Sequence, residues 1–435
     1  MEVLAIVIKL LAFAVAGSIF VIPRPYKAGM MMVSYLLFSH VFFGGLSAMG
    51  LTSICFFISE LFRYRKCILI LKDSRPFRVY LLAVFLLMLS TILFSEHLHD
   101  VKEIVYYIVG EGIEKFAIIL VGLLTVSKRK HLVIIYKIVF ITMMIVSVFA
   151  LLNILFRHSI YIEAIYETTS RIYDFNSATR FRVQATFLNP FDYGFSCVLF
   201  LLFSGYLFLK RNINLAVFSI ASAISLLGII SCGCRTVFAV FLVSTIVVLI
   251  CVQKNFGARA LIAGIIVLTL GISYVSLSPV KKMINMSISM FDKEATVSGS
   301  SIEGRMMQLL AVFGEIRGNM AFGNGYQYFT KDVGWSEDGT YFSSNPDLLG
   351  LEGVYLNYLL ERGFVGFILY IVMICATVQM LRRHSGDRVN RAFAMTILLA
   401  YLMFAFMTGE LLSFQPTFLL IGCFLALPNR TELGK

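Results

Sequence analysis

Long apolar runs separated by short charged turns set the pattern of this chain. Residues 3–22, 79–94, 113–126, 132–156, 191–209, 215–230, 237–252, 261–275, 351–381, 392–406 and 412–427 each predict an apolar helix. Runs of about 17–25 residues are what a helix needs to cross a bilayer, where every backbone group must be satisfied internally. Barrel strands would be about half as long and would alternate in polarity. The expected fold is therefore all-α: a polytopic membrane protein, one integral domain over residues 1–435, with about 12–13 transmembrane helices. Segments 30–45 and 51–62, with an uncharged Gly/Ser link between them, read either as a hairpin or as one span plus a re-entrant piece. An even number of crossings puts the N-terminus inside; the basic turn Pro23-Arg24-Pro25-Tyr26-Lys27 favours an odd number and an outer N-terminus.

Two polar stretches break the pattern, residues 157–188 and 278–350. The second is far longer than an ordinary connection, and its apolar and aromatic residues, Trp335 among them, argue against disorder. Within it residues 302–320 predict an amphipathic helix, with Met306, Leu309, Leu310, Phe313 and Ile316 at helical spacing. Such a helix suits a membrane surface. Phe322-Gly323-Asn324-Gly325 then supplies residues that tolerate the left-handed backbone of a sharp helix stop. This stretch is expected to wall an active site, and the helix after it to carry part of that site.

Composition agrees with a membrane: 59% of the 435 residues are hydrophobic, and mean hydropathy is +0.86. The net charge of +12 does not point to nucleic acid. Its clusters, Arg63-Tyr64-Arg65-Lys66, Lys128-Arg129-Lys130, Lys210-Arg211 and Arg382-Arg383, sit at the ends of apolar runs. That is the positive-inside distribution of a bacterial inner membrane protein. Both polar stretches then share the outer, periplasmic face. The 8 cysteines show no zinc spacing and read as packing residues. His97, His99 and His158 are too sparse for a metal site. No metal and no cofactor is expected.

Arginine at the outer boundary is the recurrent departure from that distribution: Arg171, Arg180, Arg182, Arg235, Arg305 and Arg317. A guanidinium stays charged and binds phosphate bidentately, so several converging arginines can hold a lipid pyrophosphate without a metal. The plainer reading is that each snorkels to headgroups or pairs with a local acid such as Asp174, Glu303 or Glu315. Glu352 stands at the expected start of the helix after the long loop, with Tyr355 and Asn357 close behind. A carboxylate there can take a proton from an attacking sugar hydroxyl, although acids at helix starts are common for electrostatic reasons alone. Glu60 and Glu410 read as possible ion-pair partners.

Four elements carry a family resemblance, over roughly residues 180–381. They are Arg182-Val183-Gln184-Ala185-Thr186-Phe187-Leu188-Asn189-Pro190; the tip Cys234-Arg235-Thr236; Gly304-Arg305 followed by Asn319 and Phe322-Gly323-Asn324-Gly325; and Tyr355-Leu356, Glu361, Gly363 and Gly366. In this order they resemble the O-antigen ligase/polymerase superfamily of membrane glycosyltransferases. In the ligases of that family His-Asn stands where this chain has Glu352-Gly353, which favours a polymerase. The Trp usual shortly after Gly-Arg is replaced by Met306, Met307 and Gln308. The resemblance implies a metal-independent, inverting glycosyltransferase of C-type architecture. It would move an O-antigen or capsular polysaccharide chain from undecaprenyl pyrophosphate onto a lipid-linked repeat unit, with membrane lipids and a chain-length regulator protein as further partners. Arg182, Arg235 and Arg305 would hold the pyrophosphate and Glu352 would act as base. Arg180, Asn189, Tyr355 and Asn357 would bind substrate. The alternatives are a ligase acting on lipid A-core and, from another class, a lipid-linked oligosaccharide flippase.

Overall fold

The computed structural model describes residues 2–60, 74–166, 181–253, 302–333, 353–384, 386–409 and 412–427, with a few isolated positions besides. Among these the protein is an all-α bundle, with one two-residue-stranded hairpin as its β-structure. Six helices are long and apolar enough to cross a membrane, and three shorter apolar helices accompany them. This is a multi-pass membrane protein.

Helices α1 (Glu2–Ser18), α2 (Arg24–Phe38) and α3 (Ala48–Glu60) come first. The segments between 30 and 62 form two helices joined by the hairpin β1 (Phe42–Phe43) and β2 (Leu46–Ser47), with Phe42 paired to Ser47. Next come α4 (Arg75–Phe94) and α5 (Val101–Tyr107), which runs into a π-helical stretch, Ile108–Phe116, and then α6 (Ile118–Thr125). The long α7 (Arg129–Phe156) leads to the short α8 (Ile160–Tyr166), which lies in the first polar stretch. A second group is α9 (Pro190–Leu209), α10 (Leu215–Ser231) and α11 (Arg235–Val252). Last are α12 (Ile302–Glu315), α13 (Val354–His384), α14 (Arg388–Thr408) and α15 (Phe414–Leu425).

Caps fix several helix starts. The side chains of Asn189, Asn214 and Asp387 accept from the backbone nitrogens of Asp192, Val217 and Asn390 at 2.9, 2.9 and 3.0 Å. Small residues let helices meet backbone to backbone, as expected where lipid gives no hydrophobic drive to association. A Cβ on Gly122 of α6 would collide with the backbone of Leu419 to Cys423 in α15, and one on Gly422 with Ile119. On α9 a Cβ at Gly194 would stand 2.7 Å from Cys232 Sγ. The buried cysteines here are packing residues, as their scatter suggests.

The two ends of the bundle differ in charge. At one end Asp387 meets Lys210 at 2.5 Å and Arg129 at 3.6 Å, and Arg388 donates to the last carbonyls of α11. Glu60 pairs there with Arg24 and with Lys27, each at 2.7 Å. Partial burial alone would raise the Asp387 pKa, but Lys210, the Asn390 amide and Arg129 hold it below the ordinary carboxylate value. The opposite end holds the β1–β2 hairpin, α12, residues 319–333 and the starts of α9, α11 and α13. Residues 319–333 dock there, with Tyr326 N donating to Ser95 Oγ at 2.8 Å and Phe322 stacked on Phe94 at 3.6 Å.

Candidate functional site

The structure breaks helix α13, which the apolar run predicts as continuous. Gly363 has φ 59° and ψ −163°, outside any helix. The two helical bonds lost across it are replaced by four to the polar stretch. Phe364 N and Val365 N donate to Met320 O and Ala321 O at 2.9 and 3.0 Å. Leu360 O and Glu361 O accept from Asn324 N and Gly325 N at 2.9 and 3.0 Å. Phe322-Gly323-Asn324-Gly325 is thus more than a helix stop. It is the insert that satisfies a broken helix, as backbone within a membrane protein requires.

Of the sequence-predicted arginines, Arg182, Arg235 and Arg305 are described at the end of the bundle away from the basic cluster. Arg182 stands over the Phe191 ring in the first turn of α9, its guanidinium carbon 5.5 Å from the ring centroid. The irregular segment that leads into α9 is tied to the α10–α11 tip, Val183 N donating to Ser231 O at 3.1 Å. Gly233, at φ 63°, sits against Arg182, and Arg235 follows it as the first residue of α11. Arg305, in α12, donates to the carbonyl of Met407 in the last turn of α14. Tyr355 stacks on Phe406 of that same turn at 4.9 Å. Asn357 Oδ1 is buried with no hydrogen-bond partner among the described residues. A link runs from one group to the other: Leu412, just past α14, donates its N–H to Asp192 Oδ1 at 3.3 Å in the first turn of α9.

Asn189 has a local task as well. Its Oδ1 caps α9 and its Nδ2 donates to Asp192 Oδ2 at 2.8 Å. Arg317 is exposed on the turn after α12. His97 meets Asp332 at 2.5 Å and His158 lies 3.6 Å from Glu163, each on the surface. Arg171, Asp174, Arg180, Trp335, Glu352 and Glu410 lie outside the described residues, as does the side chain of Glu303. Among the described residues no group of three or more His, Cys, Asp or Glu could hold a metal ion.

A second set of charges went unnoticed in the sequence. The π-helical stretch, with Ala117 N bonded to Gly112 O at 2.8 Å, carries Glu111, Glu114 and Lys115 within the apolar part of the bundle. Glu111 accepts from Lys115 at 3.0 Å and from Arg362 at 2.9 Å. The Arg362 guanidinium lies 4.6 Å over Tyr358 and 5.8 Å over Tyr326. Arg362 immediately precedes the break at Gly363, so this cluster ties the two irregular helices together. Charges placed in an apolar run were the signal for it, since such residues are costly in a membrane and seldom idle. Glu114 stands apart, accepting from Ser47 Oγ of β2 at 2.5 Å.

Compared with protein-family models the chain matches none, and compared with curated proteins it matches none.

Proposed function

We propose that this protein is a membrane glycosyltransferase that polymerises a lipid-linked polysaccharide, taking the growing glycan from undecaprenyl pyrophosphate and joining it to a lipid-linked repeat unit. One observation carries the reading. Arg182, Arg235 and Arg305 come from three separate stretches of sequence, yet all lie at the end of the bundle opposite the Lys210–Asp387 cluster. By the positive-inside distribution that end is the periplasmic one, where the bacterial inner membrane presents such substrates.

The chemistry follows from those residues. The acceptor hydroxyl oxygen attacks the anomeric carbon, and the bond from that carbon to the pyrophosphate oxygen breaks. Charge accumulates on the departing pyrophosphate, where fixed guanidinium groups stabilise it more than they stabilise the ground state. The hydroxyl proton passes to the carboxylate of Glu352, which precedes α13 in the sequence. Attack from the face opposite the leaving group inverts the anomeric centre.

The test is polymerisation by purified protein supplied with lipid-linked repeat units, read as chain length. Arg305→Lys keeps charge but loses the planar fork, so chain growth should fall strongly while the protein still inserts. Glu352→Gln should lower turnover by about 10²–10⁴, the usual worth of acid–base help. Transfer should survive excess EDTA. In cells lacking the protein, single repeat units should still reach the outer glycolipid core. Long glycan stranded on undecaprenyl pyrophosphate would instead identify a ligase.

A further inference from the structure

A cavity of about 440 Å³ opens at the same end of the bundle, within the roughly 300–1,000 Å³ range of small-ligand sites. The β1–β2 hairpin, α5, the π-helical stretch, residues 326–331 and Leu412 enclose it. Tyr106, at the mouth, is 38% exposed, while Tyr107 deeper in is 1% exposed. The Tyr106 hydroxyl donates to Gly44 O at 2.7 Å, which fixes its ring against the hairpin. Polar groups alternate with these rings. Glu103 and Lys331 pair at 3.1 Å at the mouth, and Glu114 lines the interior, its carboxylate accepting from Ser47 Oγ. His40 Nε2 is buried in the wall with no hydrogen-bond partner among the described residues. Gln327, also lining it, holds φ 64°, a left-handed conformation that non-glycine residues keep mainly where surroundings enforce it.

We propose that this cavity is a saccharide subsite, holding a mono- or disaccharide of neutral or amino-sugar character next to the arginine end of the bundle. Aromatic faces suit the apolar C–H faces of a sugar ring, and carboxylate, amide and imidazole groups suit its hydroxyls. A lipid tail fits poorly, because it would leave the Glu114 carboxylate and His40 Nε2 against hydrocarbon. The charge balance selects the sugar. Lys331, the one lysine or arginine among the described lining residues, is already paired with Glu103, so an anionic uronic acid finds no free cation to pair with in the cavity. Position supports the assignment: Leu412 forms part of the cavity and bonds Asp192, beside the Phe191 ring under Arg182. The proposal rests on the transferase reading above and adds to it where the saccharide of one lipid-linked substrate sits.

Saturation-transfer NMR on the full-length protein in nanodiscs tests it, with the methyl glycosides of N-acetylglucosamine, glucosamine and glucuronic acid as probes. The first two should receive saturation and the glucuronide far less. Glu114→Gln should narrow that preference by about tenfold, and Tyr106→Ala should weaken all binding. Thermal unfolding of each variant separates lost binding from lost fold. Saturation of none of the probes, or equal saturation of all three in the unmodified protein, overturns the subsite. So does binding unchanged in both folded variants, or displacement of the probes by phospholipid acyl chains alone. The two readings fail separately. Glycosides bound in a Glu114-dependent way without any polymerisation would leave the subsite and remove the transferase. Polymerisation with an unchanged KM for the repeat unit in Glu114→Gln would do the reverse.

Discussion

Gly323 and Gly363 meet back to back, and a Cβ on either would stand 2.5 Å from the backbone nitrogen of the other. Both have positive φ, 72° and 59°. The contact lets residues 320–325 enter the break in α13 closely enough to make the four replacement bonds. Two glycines 40 positions apart in sequence thus hold the polar stretch to the scaffold.

Gly323→Ala should therefore destabilise the protein on two counts. The left-handed backbone costs roughly 1–2 kcal/mol for a residue with a Cβ, and forced overpacking adds about 1–3 kcal/mol. Gly314→Ala, in α12 where a Cβ meets nothing within 4 Å, should be neutral or stabilising by up to about 1 kcal/mol. Thermal unfolding in detergent compares them. Equal midpoints for the two variants would mean that the insert does not hold α13.

The Glu111–Arg362 pair makes a prediction of a different kind. Glu111→Gln leaves Lys115 and Arg362 buried without their shared carboxylate, so it should cost about 3–5 kcal/mol. Adding Arg362→Met to it should cost much less than the sum of the two single changes, because the orphaned guanidinium is removed. A double-mutant cycle on unfolding midpoints measures this. Strict additivity would show that the charges do not stabilise each other.

Orientation can be tested by labelling in a cysteine-free background, since Cys251 and Cys375 are exposed. A cysteine at Lys102, exposed at the end holding the arginines, should react with an impermeant thiol reagent added from the periplasm. One at Arg383, exposed at the end of α13, should react only after the inner membrane is opened. The reverse pattern would put the arginines in the cytoplasm and end the proposed reaction.

His40 predicts a pH dependence. Its burial pulls the imidazole from 6.5 down to about 4. The unfolded chain then binds a proton that the folded one refuses, so stability falls as pH drops from about 6.5 towards 4. Above that window His40 is neutral in both states and contributes no slope. His40→Gln should flatten this part of the profile of unfolding midpoint against pH. An unchanged slope would assign the acid sensitivity to carboxylates instead.

Much of the architecture is legible in the sequence because lipid allows few solutions. An apolar run of sufficient length has to be helical, and a basic cluster at its end marks one face, so the all-α bundle and the common end of Arg182, Arg235 and Arg305 follow from spacing and charge. Caps such as Asn189 and Asp387 act within three residues and are equally readable. The breaks are not. Residues 354–384 have the composition of one continuous helix, and only Met320 to Gly325, brought in from the preceding stretch, give Gly363 the partners that make a break stable. The same holds for Glu111 and Arg362, 251 positions apart, and for the cavity, whose described walls come from four separate stretches of sequence. Local sequence determines which residues are helical and where the basic clusters fall, because those depend on short-range energies and spacing. Where a helix is broken, which buried charges pair and what space lies between them depend on contacts made only after the chain has packed.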